Sequence, residues 1–102
     1  MARIIELGYL DDREYIFRRA RLLAERGYGN FSIHSMLDKL GIPTEMIEEA
    51  IEKISWELSE PMRIAALLDK RRDMHKDKLI RFLAGRGFPY ETILDTIDGA
   101  HT

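Results

Sequence analysis

Apolar residues recur along this chain at intervals of three and four, the spacing of one face of a helix, and no stretch alternates apolar with polar as a half-buried strand would. Six helices are predicted. Asp11 or its neighbour Asp12 caps the first, with Glu14 placed to complete a capping box. This helix runs to about Arg26, with Tyr15, Ile16, Ala20 and Leu23 facing inward. Gly27-Tyr28-Gly29 ends it. Asn30 caps a second helix over Phe31–Leu40, whose stripe is Ile33, Met36, Leu37 and Leu40, and Gly41 closes it. Pro43 opens the third, where its missing N–H goes unmissed. Glu45, Glu48 and Glu49 suit the positive helix start, and Met46, Ile47, Ala50, Ile51 and Ile54 form the apolar face. Ser59 caps the fourth, with Pro61 in its first turn and Ile64, Ala65, Leu67 and Leu68 inward. The fifth covers about His75–Ala84, with Leu79, Phe82 and Leu83 inward. The sixth runs from Tyr90 to Ile97, with Gly99 as its stop. Ahead of all six, Ala2–Leu7 followed by Gly8 is expected to be the last turn of a preceding helix.

The pattern repeats with a shift of 46 residues. Leu22 pairs with Leu68, Ile33 with Leu79, Met36 with Phe82, Leu37 with Leu83, Gly41 with Gly87, Pro43 with Pro89, Glu45 with Glu91, Ile47 with Ile93 and Ile51 with Ile97. A glycine, a proline and an apolar period held in one register imply a duplicated unit. The predicted fold is all-α: two tandem three-helix repeats forming an elongated module. The first repeat is expected over 1–58, with the tail of a preceding helix at 1–8, and the second over 59–102.

Composition narrows the function classes. With 45% apolar and 33% charged residues, the 102-residue chain has the make-up of an ordinary globular domain. It contains no cysteine, which excludes disulfides and thiolate–metal sites and is compatible with a reducing cytoplasm. No run is long and apolar enough for a membrane span, and the start is too short and too charged for a signal peptide. The net charge of −2 hides local extremes. Glu60–Pro89 carries eight bases against four acids, Asn30–Ser59 two bases against six acids; Met1–Gly29 is net +1 and Tyr90–Thr102 net −3. Such a patchwork suits oriented docking on a partner better than general attraction to phosphate.

The string Gly8-Tyr9-Leu10-Asp11-Asp12, followed by Arg26-Gly27-Tyr28-Gly29, Ile33, Leu37, Gly41-Ile42, Ile47 and Ala50, resembles the second repeat of the RecX family, bacterial regulators of the RecA recombinase. Lys78-Leu79-Ile80-Arg81-Phe82-Leu83, then Arg86-Gly87-Phe88 and Ile93, resembles the third repeat. The likeness spans roughly Gly8 to Gly99. It implies a cytoplasmic protein of three-helix repeats that binds along the groove of the RecA filament on single-stranded DNA and inhibits its ATPase and strand exchange. No active site, cofactor, membrane or small-molecule substrate is implied. Against the family pattern, this chain is mildly acidic, and Leu23, Met36 and Leu40 stand where relatives often carry charge.

The basic residues are the candidate contacts with RecA, and more weakly with single-stranded DNA. Lys70, Arg71, Arg72, Lys76, Lys78, Arg81 and Arg86 gather on the fourth and fifth helices and their turn. Arg18, Arg19 and Arg21 form a smaller cluster on the first helix, with Arg26 near its end. Asp11-Asp12 is expected to serve as a helix cap rather than a catalytic pair, and His34, His75 and His101 lack metal-ligand spacing. Gly27-Tyr28-Gly29 lacks the strand and the Lys-Ser/Thr of a phosphate loop. Trp56 and the methionines are expected in the core. The second reading is a helix-turn-helix DNA-binding module, since Met36–Ile42 and Thr44–Ile54 have its outline. The helix that would enter the major groove carries Glu45, Glu48, Glu49, Glu52 and Glu57 against Lys53, so it would repel phosphates.

Overall fold

A computed structural model describes residues 12–100 as six helices: α1 (Asp12–Glu25), α2 (Asn30–Lys39), α3 (Thr44–Glu57), α4 (Glu60–Lys70), α5 (Lys76–Gly85) and α6 (Tyr90–Ala100). The predicted helix tail at 1–8 and the Asp11 cap lie outside the described residues. Among the described residues there is no strand, so the all-α assignment holds. The helices form two three-helix groups in a body of 48 × 24 × 21 Å.

In each group the last helix is central: α1 and α2 pack on α3, and α4 and α5 pack on α6. The first core consists of Ile16, Ala20, Ala24, Ile33, Leu37, Ile42, Ile47, Ala50 and Ile54. Ile16, Ala20 and Ala24 recur every fourth residue, and the two alanines let α1 approach α3 closely. The inward stripe therefore ends on Ala24, while Tyr15 and Leu23 are only half-buried beside it. The second core consists of Ile64, Leu67, Leu79, Leu83, Phe88, Ile93 and Ile97.

The 46-residue register is visible in the turns. Gly41 and Gly87 both adopt positive φ, +86° and +94°, the left-handed conformation that ends a helix. After them Ile42 and Phe88 are both buried, and their N–H groups donate to Leu37 and Leu83 carbonyls at 3.4 and 3.3 Å. Ile47 and Ile93 then donate to the carbonyls of Pro43 and Pro89 at 3.1 and 3.0 Å. The register fails in the first helix of each repeat. The residues 46 beyond the buried Ile16 and Ala20 are Met62 and Ala66, both exposed. The buried α4 residues Arg63 and Leu67 lie 43 residues beyond the buried Ala20 and Ala24, so α4 meets its core three residues out of the 46-residue register.

Other local expectations shift by a residue. Asn30 and Pro43 sit at the edges of α2 and α3, with Gly29 and Pro43 as the extended caps. His75 caps α5, its Nδ1 accepting from the Asp77 N–H at 3.3 Å. Ser59 caps α4 as predicted, accepting from Met62 N–H at 3.4 Å. Helix α6 continues through Gly99. Ala65 is exposed, and Trp56, expected in the core, is 85% exposed.

Candidate partner interface

The two repeats meet through a pair of similar turns, and this seam decides which basic residues remain available. The turn after α1 reads Arg26-Gly27-Tyr28-Gly29 and the turn after α5 reads Arg86-Gly87-Phe88. Gly29 N–H donates to the Arg86 carbonyl at 2.8 Å, and Phe31 N–H to the Gly87 carbonyl at 3.2 Å. The backbones approach so closely that a Cβ on Gly29 would lie 2.4 Å from the Gly87 carbonyl, and one on Gly87 would lie 2.3 Å from Ser32 Oγ.

Arg86 closes the seam from outside. Its guanidinium donates to the Arg26 carbonyl at 3.3 Å and lies 4.6 Å from the Tyr28 ring centroid and 5.3 Å from that of Phe82. Arg71 covers the same Phe82 ring at 4.3 Å. The result is a stack of guanidinium groups and aromatic rings, each contact stabilising by about 0.5–1 kcal/mol at such sites.

Arg63 closes the seam from inside and is only 2% exposed. Its Nε donates to the Leu58 carbonyl at 2.8 Å, and its Nη1 donates to the Tyr28 carbonyl at 3.0 Å and to Asn30 Oδ1 at 2.9 Å. Nη2 has no hydrogen-bond partner among the described residues. Burial pulls its pKa below the ordinary arginine value, with the nearby Glu60 charge pushing back. Glu60 also accepts from the Asn30 N–H at 2.8 Å. Sequence reasoning counted Arg63 only in the local charge. The signal was its place on the apolar stripe of α4, next to Ile64 and one turn before Leu67.

The predicted contact residues fall into three groups. Arg86 and Arg71 are engaged in or beside the seam. Arg21, Arg72 and Lys76 are paired with acids. Arg21 bonds both Glu57 and Glu25, and its pKa is raised first by the hydrogen bond to Glu57 and then by that to Glu25. Arg72 meets Asp69 at 2.6 Å, which raises its pKa, and Lys76 meets Asp98 at 3.6 Å. These pairs are exposed and therefore weak and exchangeable. Arg18, Arg19, Arg26, Lys70, Lys78 and Arg81 are exposed and make no ion pair among the described residues; Arg19 reaches the Tyr15 hydroxyl at 3.4 Å.

The fold brings together cations far apart in sequence. Arg26 and Lys70, with Arg63 as part of the wall, line a recess of about 160 Å³ at the seam. Arg71, Arg72 and Lys76 rim a groove of about 590 Å³ floored by Leu68, Met74, Leu79 and Ile97. Lys78 and Arg81 stand one turn apart on the exposed side of α5. A second groove of about 600 Å³, between α2 and α3, is lined by Phe31 and Ile51 and rimmed by Glu48 and Glu52. The outward side of α3 carries Glu45, Glu48, Glu52 and Glu57, and that of α6 carries Glu91, Asp95 and Asp98. Neither could approach a phosphate backbone without repulsion, which argues against the helix-turn-helix reading. His34 lines the α2–α3 groove, His75 caps α5, and His101 lies outside the described residues.

Comparison with known proteins gives one consistent answer. The chain is similar to the "Regulatory protein RecX" of Thermus thermophilus, 35% identical over 98 residues, which cover 93% of this chain and 63% of that protein. The same values hold for the RecX of a second strain of that species. The RecX of Chlorobaculum tepidum is 34% identical over 103 residues, covering 95% of this chain and again 63% of the relative. The chain thus spans less than two-thirds of the length of these relatives. No family model matches, and no solved structure matches.

Proposed function

The chain belongs to the RecX family, and on that premise we propose that it is a binding regulator that docks on the RecA filament and inhibits its ATPase and strand exchange, without catalysis. The observation that carries this reading is the match itself: it runs through nearly the whole chain rather than a single motif. The likeness to the second and third repeats of the family fits the two three-helix repeats. Docking would use the exposed cations that have no acid partner among the described residues: Lys78 and Arg81 on α5, Arg26 and Lys70 at the seam recess, and Arg18 and Arg19 on α1. Their geometry suits carboxylates on a protein surface or phosphates lying beside it. Single-stranded DNA is then a secondary partner, because the acidic faces of α3 and α6 limit how much of the surface can face phosphate. The site of action would be the cytoplasm, where RecA works. Among the described residues no helix is long and apolar enough to cross a membrane.

The test is RecA ATPase on single-stranded DNA, titrated with this chain, with the chain's own DNA affinity measured in parallel. Inhibition is expected at concentrations where bare DNA is barely bound. The double substitution Lys78→Glu, Arg81→Glu is expected to raise the half-inhibitory concentration roughly tenfold or more, by losing two contacts and adding two repulsions. Unchanged inhibition by a folded double variant would remove α5 from the interface. No inhibition by the wild-type chain would refute the reading for these two repeats.

A further inference from the structure

The proposed docking leaves one surface of the first repeat unassigned. Trp56, the one tryptophan of the chain, is 85% exposed, and Phe31 is 77% exposed beside the groove between α2 and α3. Tryptophan is among the residues most enriched at the energetic centres of interfaces. Glu52 is one helical turn before Trp56, and Glu48 one turn earlier; neither makes an ion pair among the described residues. The surface therefore calls for a partner with an apolar slot edged by cations.

The second repeat offers such a slot. Its groove has a floor of Leu68, Met74, Leu79 and Ile97 and a rim of Arg71, Arg72 and Lys76 against a single acid, Asp69. At about 590 Å³ it has ample room for an indole ring. Local charges match: Asn30–Ser59 is net −4 and Glu60–Pro89 net +4. Trp56 does not fill the groove of its own chain, because its ring stands in solvent. The groove is formed by the later half of α4, whereas Trp56 precedes that helix, so ~15 Å of helix separates the two.

We propose that the chain associates with further copies of itself head to tail, Trp56 of one copy entering the Leu68–Met74–Leu79 groove of the next. Glu52 and Glu48 then face Arg72 and Lys76, displacing the exposed pairs with Asp69 and Asp98, which are cheap to exchange. The ring lies against Arg71, extending the guanidinium–aromatic stack already present on Phe82. Such a contact joins two different surfaces, so each added copy leaves one Trp56 and one groove open. The assembly is an open row rather than a closed dimer.

The test uses the chain alone, without RecA or DNA, so its failure leaves the proposed docking untouched. Sedimentation is followed over about two decades of concentration, together with tryptophan emission, which reports only Trp56. The expected result is a mass that climbs beyond the dimer, with emission moving to the blue as the indole leaves water. Trp56→Ala, which removes an exposed side chain and leaves both cores intact, is expected to be monomeric; so is Arg72→Glu, Lys76→Glu. An equimolar mixture of these two variants is expected to stop at a heterodimer, because one keeps its groove and the other its Trp56. A wild-type mass that stays at 11.9 kDa with unshifted emission overturns the proposal. So does association that survives Trp56→Ala, and so does a mixture of folded variants that stays monomeric.

Discussion

Alanine at Gly29 separates the energetics of the seam from everything else in the fold. Gly29 has φ −80° and ψ 169°, an extended conformation open to any residue, so alanine there adds no backbone strain. Considered alone, the substitution should stabilise by about 0.4–1 kcal/mol, because alanine restricts the unfolded chain. The structure requires the opposite sign. The new methyl group would lie 2.4 Å from both the carbonyl carbon and oxygen of Gly87 and 2.6 Å from the Phe88 nitrogen, all backbone atoms that cannot rotate away. Relief needs the two turns to part by about 1 Å, enough to lose the Gly29–Arg86 and Phe31–Gly87 hydrogen bonds, each contributing about 1 kcal/mol. The Arg86–Tyr28 contact would loosen as well, losing another ~0.5–1 kcal/mol. Less the gain from alanine, the expected net loss is about 1.5–2.5 kcal/mol, which lowers the melting temperature of a domain this size by about 6–20 °C. Urea denaturation measures the loss, and hydrogen exchange locates it: the amides of Gly29 and Phe31 should lose protection while those of Ile47 and Ile54 keep theirs. A Gly29→Ala protein as stable as wild type, or slightly more so, would refute the seam as drawn.

Four further outcomes can be checked by the same denaturation series. Gly41→Ala, whose Cβ meets nothing within 4 Å but whose φ is +86°, is expected to cost only the left-handed strain, about 1–2 kcal/mol. Arg63→Met removes a buried charge but leaves the Leu58 and Tyr28 carbonyls without their donor, for an expected loss of about 2–4 kcal/mol. Ile93→Ala, at a fully buried site of the second core, should lose about 2–5 kcal/mol. Ser59→Ala removes the α4 cap and should lose about 1 kcal/mol.

How much of this was legible in the sequence follows from the range of each signal. Helix number, helix type and the turn glycines are set by neighbours a few residues apart, so the pattern at Ile33, Leu37, Gly41, Ile42 and Ile47 and its echo at Leu79 to Ile93 could be read directly. The phase of α4 could not be, because that helix is offset by 43 residues rather than 46, which turns Arg63 and Leu67 inward and leaves Met62 and Ala66 outside the core. The seam lay further still from view. Gly29 and Gly87 are 58 residues apart, and a glycine needed for close backbone approach looks the same in sequence as one that ends a helix. The bulk of Trp56 favours burial on average, whereas its place between Ser55 and Glu57 on the outer side of α3 leaves it in solvent.

The seam also changes how the basic residues should be tested. A count from sequence treats all eleven candidate cations as equivalent, yet Arg86 holds the Arg26 carbonyl and the Tyr28 ring across the repeats and the Phe82 ring within its own, and Arg71 covers Phe82 as well. Replacing Arg86 would loosen the contact between repeats and remove a positive charge at once, so weaker inhibition alone would not separate docking from folding. Among the described residues Lys78 and Arg81 touch neither the seam nor an acid, so their loss leaves the folded body intact. The ratio of inhibition lost to stability lost therefore distinguishes the two roles. On the proposed function, Lys78→Glu with Arg81→Glu should lower inhibition with stability changed by less than about 0.5 kcal/mol. Arg86→Ala should lower both together, and its inhibition should recover when temperature is reduced or an osmolyte restores the fold. If Arg86→Ala stays fully folded yet loses inhibition as steeply as the α5 pair, the guanidinium is a contact in its own right, and the seam stack is part of the docking surface rather than its support.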